Sequence, residues 1–133
     1  MSHVTVWIDH AEARIFHIDG EADETTVTAP AHHVHRHPKG PTAEHNHPDD
    51  VHRFFRDVAK ELEGVERILV VGPSTAKLQF IRYAIKEDRS LEPRIVGVET
   101  VDHPTDRQLI AYSKRYFAAD DRMQGLPHPG KSH

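Results

Sequence analysis

The order of apolar residues predicts a mixed-sheet α/β domain with the element order β-β-β-α-β-α-β-α. Three observations predict it. Val4, Val6 and Ile8 alternate with Thr5, Trp7 and Asp9, which is the period of a strand. After residue 48 the apolar spacing changes to three and four, the period of a helix. Two short apolar runs, Arg67–Val71 and Ile95–Val98, each precede a helix-spaced segment, as in the parallel half of a sheet covered on both faces.

Each element has its own signal. A turn at His10-Ala-Glu separates the first strand from Ala13–Ile18, which is again rich in β-formers, so the two make a hairpin. Thr25-Thr26-Val27-Thr28 begins a third strand. Asp49 or Asp50 can cap a helix with Val51, Phe54, Phe55, Val58 and Leu62 on its apolar face, stopped by Gly64. Gly72-Pro73-Ser74 ends the run at Val71, and Ser74 or Thr75 opens a helix expected to turn Leu78, Ile81, Ala84 and Ile85 inward. Pro93 precedes the strand at Ile95. The last helix follows Pro104, with Leu109, Tyr112, Tyr116 and Phe117 as its apolar stripe. At 133 residues the chain is one domain's worth. A single α/β domain is expected over 1–120, with a loose tail over 121–133.

Composition narrows the chemistry. The chain has no cysteine, which excludes disulfides, thiol catalysis, thiolate zinc sites and iron–sulfur clusters. It has no apolar run near the ~20 residues that span a bilayer, and no basic-then-apolar leader at Met1–Asp9; the expected location is the cytoplasm, with no membrane partner. The unusual count is 13 histidines. Protonating all of them moves the formal charge from −4 to +9, and imidazole titrates near pH 6.5. Seven of them (His32, His33, His35, His37, His45, His47 and His52) fall within 21 residues that also hold Pro38, Pro41, Pro48 and Gly40. This reads as a long loop over 32–48, because prolines remove backbone donors and no apolar period runs through it.

Several constellations can carry chemistry. In extended chain His33, His35 and His37 share a face, and with His45 and His47 they form a set able to ligate zinc or nickel through imidazole nitrogen. The same segment, with His32, Arg36, Lys39 and Arg53, also reads as a partly cationic arm for RNA phosphates. Gly72, Ser74, Thr75 and Lys77 form a strand-to-helix turn that a plain helix cap explains first and an anion site second, and the Walker A pattern is absent. Asp9, Glu99 and Asp102 follow or end predicted strands and offer a carboxylate set for a two-metal nuclease of the ribonuclease H type. Thr105 or Asp106 equally serves as a cap for the last helix. No Gly-x-Ser-x-Gly elbow supports a nucleophilic hydrolase.

Asp49-Asp50-Val-His52-Arg-Phe-Phe55, Ile68-Leu-Val-Val-Gly-Pro-Ser-Thr-Ala-Lys77 and Ile95-Val-Gly-Val-Glu-Thr100, in this order after an opening meander and a basic loop, carry a resemblance. Over about residues 3–118 the chain resembles the middle domain of archaeal/eukaryotic-type peptide chain release factors and Pelota, and within that group a short bacterial branch of translational machinery proteins. The resemblance implies a ribonuclease H-like mixed sheet and a ribosomal partner, through ribosomal RNA or tRNA. Release factors carry Gly-Gly-Gln in the loop before the first helix. Here Gly40 is the only glycine between 21 and 63, and the first glutamine is Gln79. The expectation is therefore a module without catalysis and without a required cofactor, which binds stalled or dormant ribosomes through residues 32–47; zinc or nickel held on the histidines of that loop is the alternative. Self-association through an edge strand is a further expectation.

Overall fold

The computed structural model describes residues 2–19, 23–29, 48–123 and 125. The chain runs β1 (His3–Ile8), β2 (Glu12–His17), β3 (Asp23–Thr28), α1 (Pro48–Glu61), β4 (Arg67–Gly72), α2 (Ala76–Glu87), β5 (Ile95–Thr100) and α3 (Asp106–Met123), with one 3-10 turn at Glu92–Arg94. The five strands form one mixed sheet in the order β3-β2-β1-β4-β5. β1–β2 and β2–β3 are antiparallel, while β1–β4 and β4–β5 are parallel, with a register shift between Ile68 and Leu69. This is the predicted order of elements.

β1 lies at the centre, and every residue of it is buried. Its even positions, Val4, Val6 and Ile8, join Ala13, Ile15, Ile68 and Val70 under α1 and α2. Its odd positions face α3, where Trp7 packs with Phe16, Ile18, Leu69, Val71, Leu109 and Phe117. Two helices thus cover one face and one helix the other. Burying Val4, Val6 and Ile8 contributes roughly 1.5–3 kcal/mol per side chain, so the sheet's register is fixed on both sides at once.

The structure moves some boundaries and faces. α1 begins at Pro48, so that residue belongs to the helix and not to the loop, and Asp49 and Asp50 fall inside the first turn instead of capping it. A proline fits there because its missing N–H is one that the first turn leaves unpaired anyway. Gly64 ends the turn after α1 at φ +80, as a stop signal should. In α2 the inward face is Ala76, Lys77, Phe80 and Ala84, while Leu78 and Ile85 are 46% and 47% exposed. Phe80 decides this: its ring meets Phe55 edge-on at 5.6 Å, and Tyr83 joins the same cluster. Full burial of the Phe80 ring, with its contacts to Phe55 and Tyr83, favours this face. α3 continues three residues past position 120, because Asp121 has a buried partner; Tyr112 and Tyr116 are only half-buried, and Ser113 and Asp121 complete the inward stripe.

Candidate functional site

The carboxyl ends of β1, β4 and β5 lie along one edge of the sheet, where open α/β sheets usually hold their ligands. Local chemistry shapes each strand exit. Asp9 leaves β1 and folds its carboxylate back: Oδ1 accepts from the N–H of Ala11 at 2.8 Å and of Glu12 at 2.9 Å, which makes the hairpin turn. Gly72 ends β4 where a Cβ would collide with the carbonyl oxygen of Ile8. Its own carbonyl accepts from the N–H of Val101 at 3.0 Å, which ties the β4 exit to the β5 exit.

The turn Gly72–Lys77 is compact. Thr75 stands at the N-cap of α2 with its side chain unused there, and Ser74 Oγ reaches the N–H of Ala76 only at 3.5 Å. Lys77 is buried, and its ammonium donates to the carbonyl of Ser74 at 2.7 Å. The cation is thus engaged by the turn's own backbone.

Beyond β5 the chain crosses over Trp7. The indole Nε1–H donates to the carbonyl of Asp102 at 2.9 Å, and the His103 ring lies 5.2 Å from the indole, tilted by 56°. His103 Nδ1 is 3.0 Å from Asp102 Oδ1, an exposed Asp–His pair. Val101, Asp102, His103, Pro104, Gln108, Leu109 and Tyr112 line a cleft of about 450 Å³. Burial, with Glu99 nearby, raises the Tyr112 and Tyr116 phenols above their ordinary value of 10.0. Thr105 and Gln108 cap α3 reciprocally: the N–H of Gln108 donates to Thr105 Oγ1 at 3.1 Å, and the N–H of Thr105 to Gln108 Oε1 at 2.9 Å.

The proposed carboxylate set does not assemble. Asp9 is spent on its turn and Asp102 pairs with His103, and among the described residues no three His, Cys, Asp or Glu side chains come together to hold a metal. Asp9 and Asp102 also line different depressions. Asp9 lies with His10, Ala29, Asp50 and Phe54, while Asp102 lies in the α3 cleft. A parallel row carries Trp7, Val71 and Glu99 on the α3 face, whereas Asp9 lies past the end of β1.

His32, His33, His35, Arg36, His37, Lys39, His45 and His47 lie outside the described residues. Ala29 and Asp50, the nearest described residues on either side to touch the first depression, both line it. Arg53 is exposed on α1, 3.8 Å from Asp50, and His52 packs edge-on against Tyr83.

A buried polar cluster that no sequence motif announces lies at the opposite edge. His3 is 2% exposed, with Nδ1 2.8 Å from Asp19 Oδ1 and Nε2 3.0 Å from Asp121 Oδ2. Arg67 pairs with Asp120 and lies 3.5 Å from Asp121. A signal did exist, in the odd spacing of Ser113, Phe117 and Asp121 on an apolar helix face, but its partners are 118 positions away.

No protein-family model matches the chain, and no curated protein matches it by sequence. Solved structures do share its fold. Pelota of Thermoplasma acidophilum aligns with a TM-score of 0.59 and 17% identity over 95% of this chain and 35% of that one. Pelota of Archaeoglobus fulgidus aligns with a TM-score of 0.57 and 14% identity over 92% of this chain and 37% of that one. The chain therefore spans a little over a third of the Pelota chains it matches, and at these identities what it shares with that part of Pelota is the fold.

Proposed function

We propose that the protein is a translation-factor-like module that binds the ribosome or its RNA without catalysing a reaction, and that it acts on stalled or dormant ribosomes. The observation that carries this reading is the fold shared with Pelota across 95% of the chain. The sequence adds two supports. The Gly-Gly-Gln of release factors has no counterpart before α1, and the corresponding stretch is rich in histidine with Arg36 and Lys39. A grip made of imidazolium, guanidinium and ammonium groups on phosphates strengthens as pH falls and weakens as salt displaces it.

Co-sedimentation with ribosomes near pH 6 and pH 8, at low and high salt, tests the reading. The protein is expected in the ribosomal pellet at low salt, more so near pH 6, and in the supernatant at high salt. Recovery in the supernatant under every condition overturns it. Titration with zinc and nickel in parallel separates the metal alternative: stoichiometric binding, lost on replacing His33, His35 and His37, marks the histidines as ligands.

A further inference from the structure

α3 sorts its charges by sign. Its three acids turn toward the body of the protein, Asp106 to Arg14 at 3.0 Å, Asp120 to Arg67, and Asp121 to His3 at 3.0 Å. Its other charged side chains, Arg107, Lys114, Arg115 and Arg122, are all exposed, and among the described residues none of them has an ion-pair partner. They follow one another at helical intervals of seven, one and seven, with Ala111 and Ala118 at the interleaved positions. Leu109, Ser113, Phe117 and Asp121 define the buried side; Arg115 and Arg122 lie opposite it, and Arg107 and Lys114 lie on the flank between the two, all four exposed. The result is a cationic band about 22 Å long, at 1.5 Å per residue, made of two files, Arg107/Lys114 and Arg115/Arg122, on either side of Ala111 and Ala118, on a chain whose formal charge is −4.

From this we infer that the outer face of α3 is a second, loop-independent docking surface for the phosphate backbone of RNA. Charge complementarity selects a polyanion. Three of the four cations are guanidinium groups, whose forks match phosphate oxygens, and alanines between them let a backbone approach closely. A protein partner would need an aromatic or aliphatic anchor at the centre of the patch, and a lipid surface would need apolar side chains to insert; the row offers alanine at those positions. That the polyanion is RNA rests on the translation-factor reading above; that α3 holds it does not depend on the histidine segment.

The test uses the full chain and a fluorescein-labelled oligouridylate, read by anisotropy across a salt series. Three proteins are compared with the wild type: Arg107→Gln/Arg115→Gln/Arg122→Gln, the same three positions changed to Lys, and His33→Gln/His35→Gln/His37→Gln. The glutamine variant on α3 is expected to bind at least tenfold more weakly at low salt. Its slope of log affinity against log salt is expected to be lower by about two, since each lost contact to a single strand contributes ~0.7. The lysine variant keeps the wild-type slope, and the histidine variant keeps the α3 contribution. All three positions on α3 are exposed, so unfolding curves are expected to match the wild type. Wild-type affinity and slope in the α3 glutamine variant overturn the inference, as does binding of the wild type to phosphatidylserine vesicles but not to the oligouridylate, or to neither. Ribosome pelleting distinguishes the two readings: a glutamine variant that pellets as well as the wild type removes only the α3 surface. Oligouridylate binding through α3 by a protein that never pellets removes only the ribosomal role.

Discussion

Arg14 lies 5.6 Å above the Trp7 ring and within 4 Å of three carboxylates, those of Glu12, Glu24 and Asp106. One cation does not satisfy three acids. Burial, then a hydrogen bond that protonated Glu24 donates to Asp106 and the negative charge of Asp106, hold the Glu24 carboxyl above its ordinary value of 4.5, and Arg14 and Thr26 offset this only in part. A carboxyl raised on folding stabilises the fold below its unfolded pKa, and that contribution disappears as pH rises through the folded value. At pH 7 the Glu24 charge therefore works against the fold. Glu24→Gln is expected to raise the melting temperature by ~1–2 °C at pH 7, the size of an exposed pair, and to leave it unchanged near pH 4. Scanning calorimetry at the two pH values checks the sign. Trp7 shows what a sequence can and cannot announce at a single position. Its place on a buried strand was legible from alternation, but its bond to the Asp102 carbonyl depends on where the chain goes 95 residues later.

Among the elements, helices were easier to detect than to orient. Their period exposes them in one dimension, while the rotation of a helix about its own axis is set by what it meets. α2 has two plausible apolar stripes, and the ring of Phe80 against Phe55 selected the one that leaves Leu78 and Ile85 outside. α3 was located correctly from Pro104 and its apolar spacing, and its start is secured by the Thr105–Gln108 exchange of hydrogen bonds. Thr105→Ala is expected to cost about 1 kcal/mol in urea unfolding, with Thr105→Ser retaining most of it. The other end of α3 gave no such local signal, because it is held by side chains from the first strand and the fourth. The turn at Gly72 was readable from glycine and proline, yet Lys77, a natural anion ligand by its position, donates to the backbone of the turn.

Across the whole molecule, His3 and Asp121 connect positions 118 apart and close α3 onto the centre of the sheet. Asp121 is 1% exposed, and its removal leaves the buried His3 Nε2 without its partner and takes one of two nearby carboxylates from Arg67, which keeps Asp120. Asp121→Ala is expected to lower stability by about 2 kcal/mol, read from urea unfolding followed by tryptophan fluorescence, because it leaves the buried ring nitrogen of His3 unsatisfied. A chain ended at Asp120 is expected to lose a similar amount. Periodicity and turn residues were enough to specify eight elements, their order and the mixed sheet, since alternation and 3.6-residue spacing are properties of neighbours along the chain. Which carboxylates meet, where α3 ends, which face of α2 is buried and how the charges of α3 divide into an inner acidic and an outer basic side are relations between segments far apart in the chain. Only packing brings those segments together, so no local pattern could hold them.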